Sequence, residues 1–201
     1  RRTDMKFILQ ILLIGAFALS AEAAESGHTP KSKYAGQETR DIKSLSPDDI
    51  AELRRGGGWG LAKAAELNGV PGPAHLLEMK DKVPLDGAQV AAITKIFTAM
   101  KARAIGQGKR LIDLERALES HFRERTITDA LLRSSLAAIS EARMELRYIH
   151  LATHLKTPDI LSPDQIKKYN TLRGYSGANP CANVPEGHSA EMWRKHNGCD
   201  Q

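Results

Sequence analysis

The alternation of apolar and polar positions is clearest between Asp86 and Lys156, and its period is helical. From about Gln89 to Phe122 the larger apolar side chains fall at Ile93, Phe97, Met100, Leu111, Leu114 and Leu118. Ala104, Gln107 and His121 fill the same alternation of fours and threes. Such spacing draws one seam along a helix and suits coiled-coil-like packing against a partner. From about Asp129 to Lys156 the device repeats with Leu132, Ser135, Ile139, Ala142, Leu146, Ile149 and Thr153. Residues 121–128 break the pattern, and Thr126 or Thr128 is placed to cap the second helix. So short a link forces the two helices antiparallel. At ~1.5 Å rise per residue each arm is about 40–50 Å long. The expectation is an all-α fold centred on a long antiparallel helical hairpin with short flanking helices. Gly106 and Gly108 interrupt the first arm. Either the backbones approach there, opposite Ala142 and Met144, or the arm bends.

Shorter elements flank the hairpin. Leu45-Ser46-Pro47-Asp48-Asp49 opens a short helix, with Ser46 as cap and Pro47 in the first turn, and Gly56-Gly57-Gly58 stops it. That glycine run reads as a hinge, because no Gly-Lys-Ser/Thr follows at phosphate-loop spacing. Trp59 to Leu67 predicts a second short helix, and Pro73 to Lys82 a third carrying His75 and Glu78. After Pro158 a last helix opens at Ser162 and runs to about Arg173.

The two ends of the chain change the picture more than its bulk composition. Met5-Lys6, the mainly apolar run Phe7 to Leu19 and Ala21-Glu22-Ala23 together form a secretory signal pattern, with cleavage after Ala23. The run is shorter than the roughly 20 apolar residues of a comfortable membrane span, though an uncleaved anchor is the competing reading. Arg1 to Asp4 precede the expected initiator Met5. Cys181 and Cys199 are the two cysteines of the chain. In an exported protein they most simply pair, which would contribute about 3 kcal/mol in the chain-entropy model. A metal site from Cys181, His188, His196 and Cys199 is the alternative, although its spacing is not that of a standard zinc finger. The segments are therefore a signal peptide at 1–23, a disordered lead-in at 24–44, short helices at 45–83, the hairpin and last helix at 84–174, and a cysteine-bracketed tail at 175–201. The net charge of +5 leaves nucleic acid, anionic membrane or acidic protein as partners. Export removes nucleic acid from that set, and cleavage of the signal would leave no stable membrane insertion.

Two helix starts share one design. Leu85-Asp86-Gly87-Ala88-Gln89 and Leu161-Ser162-Pro163-Asp164-Gln165 each place a leucine before a cap, with a glutamine three residues after the cap reaching back to a free amide. Repeated on either side of a helical hairpin behind a signal peptide, this resembles the Leu-Thr/Ser-x-x-Gln motif of the Spy/CpxP/ZraP periplasmic stress proteins. It also resembles the related CnrX-type metal sensors. The resemblance covers roughly Leu85 to Arg173. Asp86 stands where the motif has Thr or Ser, and Gly87 where a proline-like first turn is usual. The resemblance implies a cradle-shaped homodimer in the periplasm. Members hold unfolded client proteins without ATP, bind zinc, nickel, cobalt or copper, or damp a membrane sensor protein.

The chemistry-bearing residues fit both kinds of member. His150 and His154 lie four apart on one helical face, a chelating spacing. A hairpin symmetric about Arg125 sets His150 across from Met100, and His75 with Glu78 would add ligands if the third short helix docks nearby. Imidazole with thioether suits copper or nickel, whereas imidazole with carboxylate suits zinc or cobalt. The plainer alternative is that these histidines only border the packed seam. No cofactor is required for the other role, in which Arg103, Lys109, Arg110, Arg143 and Arg147 attract clients to a basic concave face. Enzymatic activity is not expected, since the chain has no nucleophile elbow and no HExxH.

Overall fold

The structure is a computed structural model that describes residues 31–175, 181, 184, 189–196 and 199. The segment expected to be a signal peptide and His188 lie outside the described residues. The chain divides into two compact units, Arg1–Gly36 and Gln37–Gln201. The described residues of the second unit form helices and turns with no strand.

Helix α1 (Pro47–Arg54) is closed by a Ser46/Asp49 capping box. It ends where Gly56 takes φ +67° and the Gly57 amide donates to the Glu52 carbonyl at 2.9 Å, the left-handed stop that glycine permits at least cost. The predicted second helix shrinks to α2 (Lys63–Glu66). Trp59 at φ +43° and Gly60 at φ +69° are left-handed and cannot continue a right-handed turn. Helix α3 is Pro73–Glu78.

The hairpin consists of α4 (Gly87–Arg123) and α5 (Asp129–His154). Thr128 caps α5 by accepting from the Leu131 amide. Arg125, the expected symmetry point, sits in the turn at φ +57°. Register follows that point: Arg103 pairs with Glu145, Gln107 Nε2 donates to the Ala142 carbonyl, and Met100 Sδ lies 3.9 Å from Thr153 Oγ1. Helix α6 (Pro163–Leu172) follows, and α7 (Ala190–His196) lies in the tail. Cys181 and Cys199 form the disulfide, with Cα atoms 5.4 Å apart, and this removes their thiols from the alternative metal site.

Two apolar clusters hold the unit. In the first, α1 and the preceding turn place Ile42, Leu45 and Leu53 against the hairpin seam of Ala104, Leu111, Ala142 and Leu146. Ile42 falls inside the segment expected to be disordered, yet it is 1% exposed. An isolated apolar residue in a polar stretch has found a place in the seam. The close approach expected at Gly108 has a different partner. A Cβ there would run into the Leu53 carbonyl, so the close backbone belongs to α1 and not to the facing arm, while nothing lies within 4 Å of a Cβ on Gly106. Met144, expected opposite these glycines, is exposed.

The second cluster gathers Leu76, Val83, Ile93, Leu161 and Tyr169 where α3 and α6 meet the start of α4. Here the two glutamine motifs join. Gln89 and Gln165 cap their own helices, at 3.0 Å to the Asp86 amide and 2.9 Å to the Ser162 amide. They also hydrogen-bond to each other in both directions at 2.9 and 2.8 Å. Their amides further donate to the Ile160 and Pro84 carbonyls. Each glutamine thus satisfies a helix start and ties it to the other one.

Candidate functional site

The last two turns of α5 do not continue the apolar seam. His150, Thr153, His154 and, just beyond the helix, Thr157 are all buried there, and each polar group needs a partner. Thr153 donates to the His150 carbonyl at 2.7 Å and Thr157 to the Pro71 carbonyl at 2.6 Å. His154 Nδ1 lies 2.9 Å from the Val70 carbonyl. A carbonyl only accepts, so Nδ1 is the donor, and in the neutral imidazole that leaves the lone pair on Nε2. Such anchoring is the usual support for an imidazole that ligates through its other nitrogen. His150 Nε2 is buried with no hydrogen-bond partner among the described residues. Burial, aided by the nearby His154, lowers its pKa and holds it neutral.

His150, Thr153 and His154 line a cleft of about 730 Å³ between the stretch from Gly56 to Glu78 and the hairpin. All five residues predicted as metal ligands, His75, Glu78, Met100, His150 and His154, line it. They do not yet form a coordination shell. His75 Nδ1 is engaged with Glu78 Oε2 at 2.8 Å, and Met100 Sδ rests near Thr153. Among the described residues no three His, Cys, Asp or Glu side chains are gathered as an ion would require. Two ring nitrogens beside the cleft, His150 Nε2 and His154 Nε2, make no hydrogen bond among the described residues.

Glu66 is the cleft residue that sequence reasoning missed. Nothing in Lys63-Ala64-Ala65-Glu66 distinguishes it from a solvated helix face. In the fold its side chain is 12% exposed. Glu66 Oε2 accepts from Tyr169 at 2.8 Å and Tyr175 at 3.4 Å, with Arg173 Nη2 at 3.9 Å. Tyr169 is fully buried, and that burial, reinforced by Glu66, raises its pKa and keeps the phenol a donor. The other Glu66 oxygen faces Gly72, as does the His154 ring: a Cβ on Gly72 would lie 2.7 Å from Glu66 Oε1 and 3.0 Å from His154 Nε2.

The cations expected to attract clients are mostly engaged. Arg103 pairs with Glu145, Lys109 with Asp113 and Arg110 with Glu141. Arg143 is held 2.6 Å from the buried Glu115 and stacks 5.5 Å from the Trp59 ring, a structural tie. Arg147 makes no ion pair among the described residues. Of these pairs only Lys109–Asp113 lies within one helix, at i, i+4 spacing; the other three tie α4 to α5 across the hairpin. Among these charges the hairpin also exposes apolar residues: Met144, Tyr148 and, just past the end of α5, Leu155 share one face and are 55% to 77% exposed. No described helix is long and apolar enough to cross a membrane. No protein-family model, curated protein or solved structure matches the chain.

Proposed function

We propose that the chain binds a transition-metal ion in its cleft and acts as an exported, non-enzymatic metal-responsive stress protein. The orphaned Nε2 of His150, one turn from the anchored imidazole of His154, carries the reading. A buried imidazole without a partner costs stability, and an ion would supply the missing partner. The disulfide is compatible with an oxidising compartment, as the signal-like start requires. Membership of the Spy/CpxP/ZraP and CnrX kind, with its cradle-shaped homodimer and a membrane sensor protein as partner, belongs to the same proposal. Its support is the pair of glutamine capping boxes on a helical hairpin.

Full-length protein, loaded with zinc, nickel, cobalt or copper, dialysed and assayed by elemental analysis, should retain about one ion per chain. The His150→Ala/His154→Ala variant should retain none. A wild-type protein that returns metal-free from dialysis refutes the reading.

The exposed apolar stripe favours a second reading, an ATP-independent holdase. Met144→Ser/Tyr148→Ser should then suppress aggregation of a reduced client less well than wild type at equal concentration. Equal suppression removes the stripe from that role.

A further inference from the structure

We infer that the cleft is a binding site for an aromatic carboxylate, its ring laid against Trp59 and Phe97 and its carboxylate accepting a hydrogen bond from His150 Nε2. The inference does not rest on the metal reading, since it needs no ion, although it calls on the same nitrogen. Four observations carry it. The cleft measures about 730 Å³, within the roughly 300–1,000 Å³ usual for small-molecule sites. Trp59, Phe97 and Met100 line it, and aromatic rings and a thioether pack favourably on another aromatic ring. His150 lines it too, is 4% exposed, and its Nε2 has no hydrogen-bond partner among the described residues.

The fourth observation is the sign of the charge left over. Each carboxylate lining the cleft is engaged: Glu52 pairs with Arg55, Glu78 with His75, and Glu66 accepts from Tyr169 and Tyr175. Lys63 and Lys101 also line it and enter no ion pair among the described residues. The Lys101 ammonium lies 5.7 Å from the centroid of the Phe97 ring, beside the wall on which the ligand ring would rest. An acid is therefore drawn in and an amine kept out. A neutral imidazole carries its one proton on either nitrogen, and no described residue fixes the tautomer of His150. With the proton on Nε2, an entering carboxylate gives the buried donor its missing acceptor in a charge-assisted bond.

Calorimetric titration of the full chain in excess EDTA tests this with hydrocinnamate, hydrocinnamyl alcohol and hydrocinnamyl amine, one body carrying three head groups. The carboxylate should bind, the alcohol about tenfold more weakly, and the amine not measurably. In a Trp193→Phe background the carboxylate should change the fluorescence of Trp59. His150→Leu should weaken carboxylate binding about tenfold by removing the donor. Lys101→Gln, at an exposed position, should weaken it about threefold and flatten its salt dependence. Equal binding of the three probes overturns the assignment of a carboxylate. Carboxylate binding that neither variant weakens, or that leaves Trp59 fluorescence unchanged, places the site outside the cleft and overturns the inference. Failure of all three probes in EDTA also overturns it and leaves the metal reading standing, which the dialysis assay decides separately.

Discussion

Helix α5 and the turn after it bury two different kinds of face. From Ile139 to Ile149 the inward side chains are Ile139, Ala142, Leu146 and Ile149, all buried against α4. From His150 to Thr157 the inward positions are His150, Thr153, His154 and Thr157, equally buried but polar. The first stretch is stabilised by removal of apolar surface from water, about 25 cal/mol per Å². The second needs specific acceptors (Val70, Pro71 and the His150 carbonyl) and still leaves one nitrogen unsatisfied. A helix that could have continued its seam instead accepts that cost beside a cleft. A local departure from the packing rule of this kind is where a functional demand on the sequence is to be sought.

The contrast can be broken at the apolar stretch first. Leu146→Ala leaves a cavity in place of a side chain 2% exposed and should cost about 2–5 kcal/mol in chemical denaturation. A loss below about 1 kcal/mol would mean that the seam is loosely packed. Next in size, Gly108→Ala forces a methyl against the Leu53 carbonyl. The gain in helix propensity does not offset that clash, and a net loss of about 1–2 kcal/mol is expected. Gly106→Ala, which meets nothing, should instead gain up to about 1 kcal/mol. Equal responses would show that α1 does not press closely on α4.

The smallest effect belongs to the polar stretch and is read in pH. Folded His150 has a pKa below its ordinary 6.5 because it is buried and near His154. Above 6.5 it is neutral in both states and contributes no slope. As pH falls below 6.5, the unfolded chain takes up a proton that the folded one resists. Stability therefore drops until the folded imidazole also protonates. His150→Leu should remove this acid-side slope from denaturation midpoints and leave stability at neutral pH undiminished. An unchanged slope would place the titration elsewhere.

Much of the hairpin was legible in the residues. The fours-and-threes spacing of Ile93 through Leu118 and Leu132 through Thr153 describes the observed seam, because a helix brings such positions to one face regardless of context. The helix starts at Ser46, Asp86 and Ser162 were equally readable, since a capping box joins groups only three residues apart. The pairing of Gln89 with Gln165 was not, for the motifs indicate two local caps and nothing about their meeting 76 residues apart. The candidate site divides in the same way. His150 and His154 stand out through their i, i+4 spacing, but Glu66 has no local signature.

Local rules, then, settled where helices begin, which faces they bury and that two long ones fold back on each other, because those interactions lie within a few residues or follow from a short link. Only the tertiary structure decided that Gly108 receives α1, that Arg143 is tied to Glu115 and Trp59, and that Glu66 lies beside His154. Each of these joins segments far apart in the chain, and which solvent-facing position meets which distant partner is set by how the elements pack, a quantity that no local spacing encodes.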